Sequence, residues 1–201
     1  MSPGAREPKP LIRLFLAVFP PPGIQHAAFA VTGSLRHAGD GVSWVKEENL
    51  HYTLHFLGGL GADGMRRAGQ AARAAAAGAG AFEASLGAPG AFPNARRARV
   101  LWVGMERGEE SLVALSRRLE DALVKRGFER ERRFSAHLTI GRVRVPAADW
   151  TEPLAAAAAA LPGDSRFTVD RLLLMRSKLS PAGSTYTIEV EAPLGAGGKR
   201  A

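Results

Sequence analysis

Two short segments of this chain carry residue types suited to acid–base chemistry at matching spacing: His51-Tyr52-Thr53-Leu54 and His137-Leu138-Thr139-Ile140. Imidazole titrates closest to neutrality, so of two such groups one can accept a proton while the other gives one up. A hydroxyl two residues on can donate a hydrogen bond to an oxyanion. Both segments alternate like strands, in which residues two apart share a face. His51 and Thr53 are therefore expected on one face, with Tyr52, Leu54 and Phe56 on the other. His137 and Thr139 are likewise expected together, opposite Leu138 and Ile140. Two such faces brought together suit displacement at a phosphodiester. One imidazole activates water, the other protonates the departing oxygen, and the hydroxyls stabilise five-coordinate phosphorus. A single His-x-Thr would mean little, since any half-buried strand can hold one by chance. Two copies, using two of only five histidines, change that.

The elements that must position these residues follow from periodicity and turn signals. Strands are predicted at 11–18, 42–46, 50–57, 81–88, 98–105, 136–144, 166–175 and 184–191, and helices at about 23–37, 63–77, 109–126 and 148–160. The Ala runs 71–77 and 155–160 extend helices. Consecutive strands without intervening helices imply antiparallel sheet and an α+β class. The motifs lie 86 residues apart, close to half the ordered chain. This suggests two pseudo-symmetric lobes around a central cleft, formed by one unit over 11–194 with disordered tails at 1–10 and 195–201.

The other histidines have milder readings. His55 is expected on the face of His51, further along the cleft or in a structural role, and His26 and His37 on the first helix. His51 and His55 would meet on a helix, not on a strand, so no metal site is expected. Gly59-Leu60-Gly61-Ala62-Asp63-Gly64 matches a dinucleotide fingerprint, with Glu83 about 20 residues on. The strand before it is not apolar on both faces, and the match leaves the second motif unexplained.

The chain has no cysteine, which fits a reducing cytoplasm, and no window long enough for a membrane span. Of its 27 basic residues 22 are Arg, and the net charge is +8. A polyanionic partner fits this, although a compositionally biased genome also favours Arg. The runs Arg96-Arg97-Ala98-Arg99 and Arg130-Glu131-Arg132-Arg133 are the local candidates for contact with it.

The stretch Trp44 to Gly58 around the first motif and Arg133 to Arg142 around the second resemble the signature blocks of the two-histidine phosphoesterases. The branch they most resemble is the RNA 2',3'-cyclic phosphodiesterases, historically called 2'-5' RNA ligases. The opening Arg13 to Val18 and the closing Ser177 to Tyr186 agree, so the resemblance runs nearly end to end. It implies two antiparallel-sheet lobes with outer helices, His51 as general acid, His137 as general base, and Thr53 and Thr139 holding phosphate. It also places Arg142 at the active site, although on a regular strand an offset of five puts Arg142 on the face opposite His137. A bulge near Gly141 or a side chain reaching round an edge would resolve this. Ala136 stands where the family usually has Pro. Phe15, Phe56 and Tyr186 are candidate substrate contacts.

The activity implied is metal- and cofactor-independent opening of a 2',3'-cyclic phosphate at an RNA end to a 2'-phosphomonoester. Joining such an end to a 5'-hydroxyl is the same chemistry with an RNA alcohol in place of water. The partners expected are RNA ends, tRNA fragments among them, and cyclic nucleotides, bound by a cytoplasmic monomer. The alternatives are a non-catalytic RNA-binding module and a dinucleotide-cofactor enzyme using Gly59 to Gly64.

Overall fold

The computed structural model describes residues 11–36, 41–130, 134–144, 149–181 and 183–195. His37, Arg132, Arg133 and most of both expected tails lie outside these residues. Gly195, assigned to the tail, is tied in: its N–H donates to the Ala79 carbonyl and its own carbonyl accepts from Ala81.

Strands β1 (Ile12–Val18), β2 (Val42–Trp44), β3 (Tyr52–Leu60), β4 (Phe82–Phe92), β5 (Val100–Met105), β6 (Leu138–Val143), β7 (Arg166–Val169), β8 (Arg171–Ser180) and β9 (Gly183–Pro193) form one sheet. Their order is β7-β4-β5-β6-β3-β1-β8-β9, with β2 on β6. All named strand pairings are antiparallel. Helices α1 (Pro22–Leu35), α2 (Ala62–Ala77), α3 (Glu109–Val124) and α4 (Thr151–Ala157) complete the fold. No helix among the described residues is long and apolar enough to cross a membrane.

The two motif strands meet at one pair, Tyr52 opposite Leu138, the residues just after His51 and His137. A local two-fold through an antiparallel pair at equivalent positions relates the two halves of the sheet. Each half borrows a strand. β4 follows α2 of the first half yet pairs β5, and β8 follows α4 of the second yet pairs β1. The strand predicted over 166–175 is consequently two strands split at Asp170, one pairing β4 and one pairing β1.

The Ala-rich face of α2 lets it lie close to the sheet; a Cβ at Gly69 would come within 3.0 Å of Val190. The main core under the helices includes Leu14, Leu16, Tyr52, Leu54, Leu138 and Ile140. A second cluster, Phe15, Ala17, Leu173 and Met175 with Phe19 and Tyr186, covers the other face of the first half. With apolar groups on both faces, β1 is buried from Leu14 to Val18 and reads as a continuous apolar run.

Candidate functional site

A bulge decides where the motif side chains point. On β3 the pairing steps from Leu16–His55 to Ala17–Thr53, leaving Leu54 as an extra residue. On β6 it steps from Leu101–Gly141 to Trp102–Thr139, leaving Ile140 extra. Leu54 and Ile140 are both three residues after their histidine. An extra residue reverses the alternation beyond it. Before the bulges, His51, Thr53, His137 and Thr139 line one cleft of about 590 Å³; after them, Phe56 and Arg142 line it too. Arg142 therefore reaches the site through the bulge beside Gly141. The expectation that Phe56 faces away from His51 fails for the same reason. So does the placement of His55 along the cleft: it is buried, opposite Leu16 of the helix-side core. Gly141 leaves room for β2, since a Cβ there would come within 2.8 Å of Val42 Cγ1 and 3.0 Å of the Trp44 ring.

Each catalytic candidate is held by the backbone two residues before it. His51 Nδ1 lies 2.6 Å from the Asn49 carbonyl and His137 Nδ1 lies 2.8 Å from the Ser135 carbonyl. A carbonyl only accepts, so Nδ1 carries the proton in both rings and Nε2 is left for the cleft. In the neutral ring Nε2 is then a base, and in the charged ring it is an acid. Neither Thr53 nor Thr139 has a hydroxyl partner within the protein among the described residues.

The surroundings of the rings differ. His51 stacks on Phe19 with centroids 5.0 Å apart, with Phe15 at 4.8 Å and the Tyr186 edge at 5.4 Å. Phe15 is buried beneath His51, so of the three candidate contacts Phe56 and Tyr186 line the cleft and Phe15 supports the imidazole. His137 meets the edge of Phe92 at 5.0 Å and Trp102 at 6.5 Å. Burial lowers the His51 pKa from 6.5 to about 4, helped by the charges of His137 and Arg142 and opposed by the Asn49 bond. Burial, with Arg142, also lowers the pKa of His137. Lys46, Arg142 and Arg144 line the cleft, and no carboxylate side chain does among the described residues. That is a site built for an anion.

Other sequence expectations fall elsewhere. His26 is exposed, with Nδ1 3.2 Å from Glu47 Oε1. Arg130 pairs with Glu120 and Asp121 of α3, and Arg96 lies 3.8 Å from Asp149. Of these runs, Arg96, Arg97, Arg99 and Arg130 do not line the cleft, and Arg132 and Arg133 lie outside the described residues. No three His, Cys, Asp or Glu side chains converge among the described residues. Gly59 lies inside β3, and β4, which bears Glu83, neighbours β5 and β7 instead of β3. The parallel β-α-β unit a dinucleotide site needs is absent there. Sequence reasoning missed Phe19, Phe92 and Trp102 as supports of the imidazoles. Phe19 was within reach of it, since its parity matches Phe15 and Ala17.

The fold and cleft together define a class: an antiparallel sheet of two pseudo-symmetric halves that presents paired His-x-Thr strands to an anion-binding cleft. The chain belongs to the 2'-5' RNA ligase superfamily, whose family model it matches over residues 20–180. It is 38% identical to an RNA 2',3'-cyclic phosphodiesterase of Methanothermobacter thermautotrophicus over 180 residues, 88% of this chain and 95% of that relative. Identity to the enzyme of the same name from Thermotoga maritima is 30% over 185 residues, 90% of this chain and 94% of the relative. A solved protein of Thermus thermophilus superposes with a TM-score of 0.77 at 26% identity, covering 92% of this chain and 99% of its own. E. coli LigT complexed with 3'-AMP superposes with a TM-score of 0.71 at 25% identity over the same shares.

Proposed function

We propose that this protein hydrolyses the 2',3'-cyclic phosphodiester at RNA ends to a 2'-phosphomonoester. The observation that carries the proposal is the duplicated geometry. Two imidazoles, each with Nδ1 on a backbone carbonyl, offer Nε2 to one cleft that among the described residues holds three cations and no carboxylate. The name shared by the Methanothermobacter and Thermotoga relatives supplies the substrate class.

His137 Nε2 takes a proton from water as its oxygen bonds to phosphorus. Thr53, Thr139 and Arg142 donate to the non-bridging oxygens as their charge grows. His51 as imidazolium gives its Nε2 proton to the 3'-oxygen as the P–O3' bond breaks. The product carries a 2'-phosphate and a 3'-hydroxyl. A 5'-hydroxyl of RNA in place of water yields a 2'-5' linkage by the same displacement. Burial lowers the His51 pKa, so the phosphate anion itself must favour its charged form. The same proposal has the enzyme act without metal, as a cytoplasmic monomer.

The test is incubation with 2',3'-cyclic nucleotides and with RNA ending in a cyclic phosphate. Products should be 2'-phosphates only, at a rate unchanged by EDTA. Binding of RNA ends without turnover would replace this reading with that of a binding module. Activity restored by zinc or magnesium after EDTA would overturn the metal-free mechanism.

A further inference from the structure

The catalytic reading uses one cation of the cleft, Arg142. Among the described residues two others line it, Lys46 and Arg144. Arg144 lies one residue past β6, where its N–H still donates to the Gly41 carbonyl at 2.8 Å and so continues the ladder with β2. Its side chain is held by a hydrogen bond from Nε to Ser43 Oγ at 2.6 Å. Ser43 pairs with Arg142 across β2 and β6, so the hydroxyl that holds Arg144 stands on the strand beside Arg142. With Nε occupied, Arg144 keeps its two terminal amines for an acceptor, and no carboxylate pairs with it or with Lys46 among the described residues.

We propose that Arg144, held by Ser43, forms a second anion subsite for the phosphate one nucleotide upstream of the cyclic end. This rests on the catalytic reading above for the placement of the cyclic phosphate at Thr53, Thr139 and Arg142. Arg142 and Arg144 are two residues apart on one strand face, an advance of about 6.6 Å. That step resembles the separation of neighbouring phosphates along a single RNA strand. A chain ending in a cyclic phosphate has every other phosphate on its 5' side, so in hydrolysis a second phosphate beside Arg142 is the upstream linkage. The substrate class is thereby narrowed from cyclic mononucleotides to oligonucleotides, gripped by Arg142 on β6 and Arg144 just past its end.

The test is equilibrium binding to the full chain of two dinucleotides ending in a 2'-phosphate, one with an ordinary linkage and one with an uncharged methylphosphonate. The bases are the same, so stacking cancels. The wild type should favour the charged linkage roughly tenfold, as a charge-assisted hydrogen bond would give. Its affinity should also fall with salt by a log–log slope steeper by about 0.7. Arg144→Gln, with its thermal midpoint showing an intact fold, should abolish both differences, and Ser43→Ala should reduce the preference. An unchanged preference in Arg144→Gln overturns the subsite. Preference in a wild type that fails to open cyclic phosphates keeps the subsite and removes the catalytic reading. Turnover of cyclic mononucleotides with no linkage preference does the reverse.

Discussion

The half of the sheet that carries His51 and the half that carries His137 share a backbone device and fill it differently. In each, a carbonyl two residues back fixes Nδ1 and a bulge three residues on turns the fifth residue into the cleft. That fifth residue is Phe56 in one half and Arg142 in the other. The first half wraps its imidazole in Phe15, Phe19 and Tyr186. The exposed large apolar side chains among the described residues, Leu11, Phe56, Leu179 and Ile188, all belong to this half as well. The second half continues past its histidine into Arg142 and Arg144. Duplicated backbone thus sets where groups point, and the residues placed on it divide the work. One half surrounds its imidazole with aromatic rings and brings Phe56 to the cleft; the other brings Arg142 and Arg144 to it.

The largest test of that division removes the histidines. His51→Ala and His137→Ala should each lower kcat on a 2',3'-cyclic phosphate by roughly 10²–10⁴-fold. A substrate with a good leaving group at the 3' position separates the halves, because such a group departs without a proton. His51→Ala should recover much of its rate on it and His137→Ala none. The opposite pattern would exchange the roles of the two halves, and wild-type kcat in both variants would end the catalytic assignment.

The fifth positions come next. Arg142→Gln should lower kcat by about 10², the scale of losing one oxyanion donor. Phe56→Ala should act chiefly on KM, about tenfold, the scale of losing one base–aromatic stack. Equal effects of both on kcat would mean that the two bulges do not deliver different functions.

The faces of His51, Thr53, His137 and Thr139 were legible because period-two alternation holds up to the fourth residue of each motif. Beyond it the bulges were not, since an extra residue leaves no mark on alternation except a contradiction. Arg142 supplied that contradiction in the second half, where a residue the family resemblance places at the active site had the wrong parity. Nothing equivalent flagged Phe56 or His55, and both were placed on the wrong face. The split of the 166–175 segment was hidden for a different reason. Asp170 interrupts it where the chain leaves the edge of one half for the middle of the other, a crossing set by tertiary pairing. Asp is disfavoured inside strands, and this was the one local sign.

The smallest effect expected is in pH dependence, and it bears on why one imidazole sits in the more apolar half. The reacting form holds one proton on the pair, so kcat/KM follows the singly protonated free enzyme. Burial lowers both free-state pKa values, that of His51 to about 4 from 6.5. A lowered pKa means the ring sheds its proton at lower pH. The kcat/KM profile should therefore rise near pH 4 and already fall before pH 6.5. In the complex the phosphate anion favours the imidazolium, so the falling limb of kcat should lie at higher pH, by about one unit or more. Thr53→Val, which weakens the hold on the phosphate beside His51, should draw the two limbs together. Coincident limbs in the wild type would mean that substrate charge does not reverse the proton order between the halves, and that His137 is the acid.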